Sequence, residues 1–160
     1  MRSRVVFMPF LIVCALLVTS CTESAKDSLT PKAITEQYIS ASFPGKGIAP
    51  ERAKLLKFLS GDAKDQVALM SQNQLEKLTV QKSRELVKIK FKDERFLNPN
   101  KTFLTVELIF KESLDTKQVK INQQRLFTVE NLNPDGWKVT QIRTIREFIE
   151  YEGEGLDLAF

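Results

Sequence analysis

Histidine is absent from all 160 positions of this chain. That removes the commonest general base and the commonest transition-metal ligand together. Ser-His and Cys-His nucleophile pairs go with it. Both cysteines, Cys14 and Cys21, fall within the first 21 residues, so the rest of the chain has no thiol for zinc, an iron–sulfur cluster or a disulfide. Gly45-Lys46-Gly47 is too short for a phosphate-cradling loop. No metal and no cofactor are expected. Carboxylates and aromatic rings carry what chemistry remains. Glu107 interrupts an apolar run at 103–110, and a desolvated carboxylate there would be a general base. Arg143, Tyr38 and Trp137 are the other candidates to line a cavity or touch a ligand. Each has a plainer reading. Glu107 and Arg143 are expected to be solvated or paired across a sheet. Tyr38 is expected in the core with its hydroxyl at the rim, and Trp137 is expected at the packed end of a strand.

The first twenty residues have the three parts of an export signal. Arg2 and Arg4 are the only charges, and residues 5–18 are apolar apart from one Pro9. Thr19 and Ser20 are small, and Cys21 follows. Spanning a bilayer takes about 20 apolar residues, more than this run supplies. An uncleaved anchor and an ordinary signal peptide are the alternatives. The stretch Val18-Thr19-Ser20-Cys21 resembles the lipobox of bacterial lipoproteins. The resemblance implies diacylglycerol on the Cys21 sulfur, cleavage before Cys21 and acylation, palmitate included, of the new amino group. Two or more acyl chains make such attachment stable. Thr22, where aspartate favours inner-membrane retention in well-studied relatives, implies the outer membrane, with the domain facing the periplasm.

Those elements hang on a modest framework. Removing residues 1–20 leaves 140 residues, enough for one domain with a real core. The leader carries two arginines and no acid, so the net charge falls from +4 to +2. Nothing in that balance suits nucleic acid. Residues 21–30 read as the lipidated cysteine and a polar tether. Thr30-Pro31 looks like a helix N-cap and first turn, with Ile34, Tyr38 and Ala41 at helical spacing. Pro50 opens a second helix with an apolar face that reaches Phe58 and Leu59. Residues 63–78 form a third. Strands follow at about 86–92, 103–110, 119–129 and 137–145, where the period changes to two. The first puts Val87, Ile89 and Phe91 on one face and Lys88, Lys90 and Lys92 on the other. That lysine row is expected to be a solvated face that resists edge aggregation. Its sharper reading is a contact with anionic lipid or envelope polymer. Residues 150–160 read as an acidic tail that frays.

The expected fold class is α+β, with N-terminal helices packed on a curved four-stranded antiparallel sheet over residues 31–149. Helices first, then long strands ending in Asp135-Gly136-Trp137-Lys138-Val139, resemble the nuclear-transport-factor-2-like (cystatin-like cone) superfamily. A generic α+β sandwich is the alternative. The resemblance implies a cone-shaped cavity. In relatives that are isomerases, strand carboxylates and a tyrosine act inside it, and Glu107, Arg143 and Tyr38 would be the counterparts. Without histidine, a non-catalytic domain that binds an envelope protein or a small apolar ligand is the expectation. A cavity isomerase or dehydratase is the alternative. A structural spacer in the envelope is a third reading. Labelled fatty acid is expected to enter the mature protein, and Cys21→Ala to abolish both labelling and processing. Unchanged labelling in that variant defeats the lipoprotein reading.

Overall fold

The structure, a computed structural model, describes residues 29–80, 84–114 and 117–151. The export signal, Cys21, most of the tether and residues 152–160 lie outside the described residues. Four helices precede four strands: α1 (Pro31–Ser42), α2 (Arg52–Leu56), α3 (Gly61–Leu69), α4 (Gln72–Val80), β1 (Glu85–Asn98), β2 (Lys101–Leu114), β3 (Lys117–Asn131) and β4 (Trp137–Tyr151). The strands form one antiparallel sheet in the order β1-β2-β3-β4. The class is therefore α+β.

Local chemistry explains the boundaries. The Thr30 hydroxyl accepts from the Ala33 amide at 3.2 Å, capping α1 just before Pro31. Inside α1 the buried Thr35 hydroxyl donates back to the Pro31 carbonyl at 2.8 Å, so its burial leaves no unpaired donor. The second helix is shorter than its apolar pattern suggests. It stops at Leu56, because residues 58–60 leave the helix to pair with β4. The Val139 amide donates to the Phe58 carbonyl, and the Ser60 amide donates to the Val139 carbonyl, both at 3.0 Å. The expected single helix over 63–78 is two helices broken at Met70-Ser71. Arg52 holds that break. Its Nε donates to the Val67 carbonyl, and Nη2 donates to the Ala68 carbonyl, satisfying the end of α3.

Every strand is longer than its apolar core. In β2 and β3, polar residues extend the ladder at both ends, because pairing with two neighbours outweighs local preference. β4 runs on to Tyr151, into the segment expected to fray. Residues 146–151 pair with β3, and Lys120 meets Glu150 at 2.9 Å. The face assignment in β1 is also corrected. Register shifts between Leu86 and Lys88 and between Phe91 and Asp93 put Leu86, Ile89 and Phe91 on the inner face. Val87 falls in the first bulge and is exposed.

One face of the sheet meets the helices. Leu104, Val106, Leu108 and Phe110 of β2 and Phe127 and Val129 of β3 are fully buried there. Ile34, Tyr38 and Ile39 of α1 belong to the same core, and the Tyr38 ring stands edge-on to Phe127 at 6.3 Å. Phe43 packs on Phe110 at 4.7 Å. The other face carries Phe103, Thr105, Glu107 and Ile109 of β2 and the even-numbered residues of β3. Phe127→Ala is expected to cost about 3–5 kcal/mol, as for large-to-small changes in a packed core. Thr102 is fully buried and its hydroxyl finds no partner, so Thr102→Val is expected to stabilise by about 1 kcal/mol. Urea midpoints that move the same way in both variants would contradict this division.

Candidate functional site

The sheet separates the sequence-predicted residues instead of gathering them. Tyr38 lies on the helix-covered face, while Glu107 and Arg143 lie on the other. The expectation that these three line one cavity is therefore wrong. Alternation is the reason. Glu107 stands between Val106 and Leu108, both fully buried, and must point the opposite way.

Glu107 is held by two donors. Lys92 Nζ lies 2.7 Å from one carboxylate oxygen, and Asn122 Nδ2 donates to the other at 2.9 Å. The Lys92 ammonium, followed by the Asn122 amide, holds the Glu107 carboxyl below its ordinary range. A carboxylate so stabilised is a poor base near neutral pH. These residues, with Gln124, Arg146 and Phe148, line a depression of about 310 Å³. Arg143 is exposed two strands away, aligned with Leu126 of β3, and it does not pair with Glu107.

Tyr38 is buried, and burial raises its hydroxyl above the ordinary tyrosine value, with the hydrogen bond to Ser42 and the charge of Arg125 opposing. It stays protonated at neutral pH and faces Phe127, so it serves the core.

The inner face also holds a polar group that the sequence reading passed over. Arg125 Nε donates to Gln123 Oε1 at 2.6 Å, and Gln123 Nε2 donates to Glu147. The Arg125 guanidinium lies 6.0 Å from the centre of the Phe43 ring. Desolvation lowers Arg125 from its ordinary value, although an arginine remains charged even so. Beside it, Arg84 binds Glu112 at 2.6 Å and lies over the Phe110 ring at 5.3 Å. A signal for this group was present. Val119, Ile121, Phe127 and Val129 share one parity with Gln123 and Arg125, so two polar residues had to point inward. These contacts are satisfied internally, and they read as a structural network.

Trp137 is the one predicted residue that lines a substantial hollow. Its pocket, about 590 Å³, has a floor of Leu29, Ile34, Phe58, Pro134 and Trp137. Asn131, Asp135, Lys57 and Lys138 supply polar groups around it. The turn that shapes it is fixed by two backbone bonds, Asp135 N to Leu132 O at 2.7 Å and Leu132 N to Gly136 O at 2.9 Å. Gly136 takes a positive φ of 73°, which a side chain would strain. Asn131 Oδ1 is buried without a hydrogen-bond partner. A larger hollow, about 780 Å³, lies along α1 and the segment before α2. Its walls include Glu36, Gln37, Ser40, Glu51 and Lys54, and no sequence-predicted site residue reaches it. Among the described residues no cluster of histidine, cysteine and acidic side chains is placed to hold a metal ion. No described helix is long and apolar enough to cross a membrane.

The sequence matches no protein-family model and no curated protein.

The Glu107 environment fixes a pH dependence. Its folded value lies below its unfolded value, so its contribution is full above the ordinary carboxylate range and is lost as pH falls through the folded value. Glu107→Gln is therefore expected to lower the urea midpoint near neutral pH, and the difference from wild type is expected to vanish in acid. A difference that stays constant across the acid range would contradict the ion pair's role.

Proposed function

We propose that this chain is a lipid-anchored protein of the bacterial cell envelope whose domain binds a small, largely apolar ligand without catalysis. In this reading the anchor is diacylglycerol on Cys21, and Thr22 directs the protein to the outer membrane, where the domain faces the periplasm. The cone-shaped, nuclear-transport-factor-2-like form of the fold belongs to the same proposal. It is supported by helices preceding strands and by the register shifts in β1 and β4, since bulges are how long strands bend.

The observation that carries the binding reading is the Trp137 pocket. Its volume of about 590 Å³ falls in the range of small-molecule sites, which pair apolar walls with a few fixed polar groups. Asn131, Asp135, Lys57 and Lys138 supply those polar groups. The enzyme alternative loses its best residue, because Glu107 is paired with Lys92 and Asn122 and lies across the sheet from Tyr38. A partner protein remains the second kind of occupant for the envelope-facing domain.

Trp137 is the only tryptophan in the chain, so its emission reports the pocket directly. The neutral probe N-phenyl-1-naphthylamine is expected to bind the full mature protein saturably and to quench that emission by energy transfer. Phe58→Ala, which opens one wall, is expected to weaken binding about tenfold. Glu107→Gln is expected to leave it unchanged. Quenching that fails to saturate, or that responds equally to both substitutions, would overturn the assignment.

A further inference from the structure

We propose that the uncovered face of the sheet docks on an anionic lipid bilayer, so that the domain lies against the membrane instead of swinging free. The strand register defines this face. Across the four strands, one row reads Lys90, Glu107, Gln124, Arg146, and the next reads Asp93, Thr105, Leu126, Arg143. Lys88 aligns with Ile109, Asn122 and Phe148 in the row on the other side. Lys88 and Lys90 on β1 and Arg143 and Arg146 on β4 thus stand at the two edges, with Glu107, Thr105 and apolar and amide side chains between them.

Taken over all rows, with Lys92 and without Lys138, whose ammonium donates to the Lys57 carbonyl at the Trp137 pocket, the face carries nine lysine or arginine side chains against five carboxylates. That is a surplus of four positive charges. Without the two leader arginines the chain is +2, so everything off this face sums to two negative charges. The asymmetry is the argument: a surface potential this one-sided orients a molecule towards an anionic plane. The helix side reaches this face at one corner, where Gln141 Nε2 donates to Asp62 of α3 at 2.9 Å. The face's two depressions, about 310 and 230 Å³, are lined by strand residues alone. Phe148 is 53% exposed on the same face, with Arg146 against its ring at 5.4 Å, an arrangement suited to the interface between lipid headgroups and acyl chains.

The proposal rests in part on the anchor at Cys21. Seven residues separate Cys21 from Leu29, a span of at most about 29 Å when fully extended, so the domain could not leave the membrane's vicinity. Acyl chains plus a basic surface form the two-signal arrangement that makes membrane attachment durable.

The test uses the lipidated mature protein on vesicles of phosphatidylcholine, alone or with about one-third phosphatidylglycerol. Amine-reactive labelling followed by mass spectrometry compares Lys88 and Lys90 with Lys64, which is exposed on α3. On anionic vesicles Lys88 and Lys90 are expected to label at least about threefold more slowly, with Lys64 unchanged and the protection lost at about 0.5 M salt. Flotation with neutral vesicles reports the anchor separately. If the protein fails to float there but still floats with anionic vesicles and shows the protection, the anchor reading falls and the docking face stands. Equal labelling on both vesicle types overturns the docking face. So does protection given by a soluble anionic polysaccharide but not by vesicles, which assigns the face to a polymer instead.

Discussion

Burial of one face of β2 and β3 under the helices is the constraint on which the rest of this domain depends. No cysteine follows Cys21, so no disulfide within the domain relieves the core of that task. Leu104, Val106, Leu108 and Phe110 are fully removed from solvent, as are Phe127 and Val129 beside them. Because a strand alternates with a period of two, this burial also fixes the direction of every residue between. A one-residue slip would drive Glu107 into the core and expose Val106 and Leu108. The register therefore has a strong energetic reason to hold.

That same constraint decides what chemistry the molecule can assemble. A carboxylate inside an apolar strand looks like a desolvated base until its parity is considered. Glu107 must face away from the helices, and there it meets Lys92 and Asn122. Tyr38 must face the core, and there it meets Phe127. The two residues most suggestive of proton transfer are separated by the sheet itself. What the helix side does leave open is its margin, where Leu29, Phe58 and the β3–β4 turn approach Trp137.

Much of the fold was legible from the residues. Thr30-Pro31 marked the start of α1, and alternation located all four strands. What the pattern missed were features set by distant partners. The helix after Pro50 ends at Leu56 because Phe58 and Ser60 bond to Val139, more than seventy residues away. β4 continues to Tyr151 because β3 offers it a partner, although the chain from residue 150 reads locally as an acidic tail. Bulges in β1 moved Val87 off the inner face, and no local residue type announces them. Of the candidate site, Trp137 was found by type and position after a turn. Asn131, which lines the same pocket, gave no signal, since the pocket is assembled from three separate segments of the chain.

The bulges bear on the sheet's edges as much as on its faces. An edge strand presents unpaired amides and carbonyls, which invite another chain to add on. β1 is one edge, and its three register shifts interrupt the regular row of groups that an incoming strand would need. Its lysines add charge to the same edge. β4 is the other, and it is protected differently along its length. Near Val139 the segment 58–60 occupies its free side, while the later half carries Arg143, Arg146, Glu147 and Glu150, all exposed. A sheet with strands of 14 and 15 residues and one uncovered face would otherwise be prone to stack or extend. The charges that give the open face its character thus also keep the domain from adding strands to itself. The two demands act on the same residues, because both need long, charged, solvent-facing side chains on strands whose opposite face is buried.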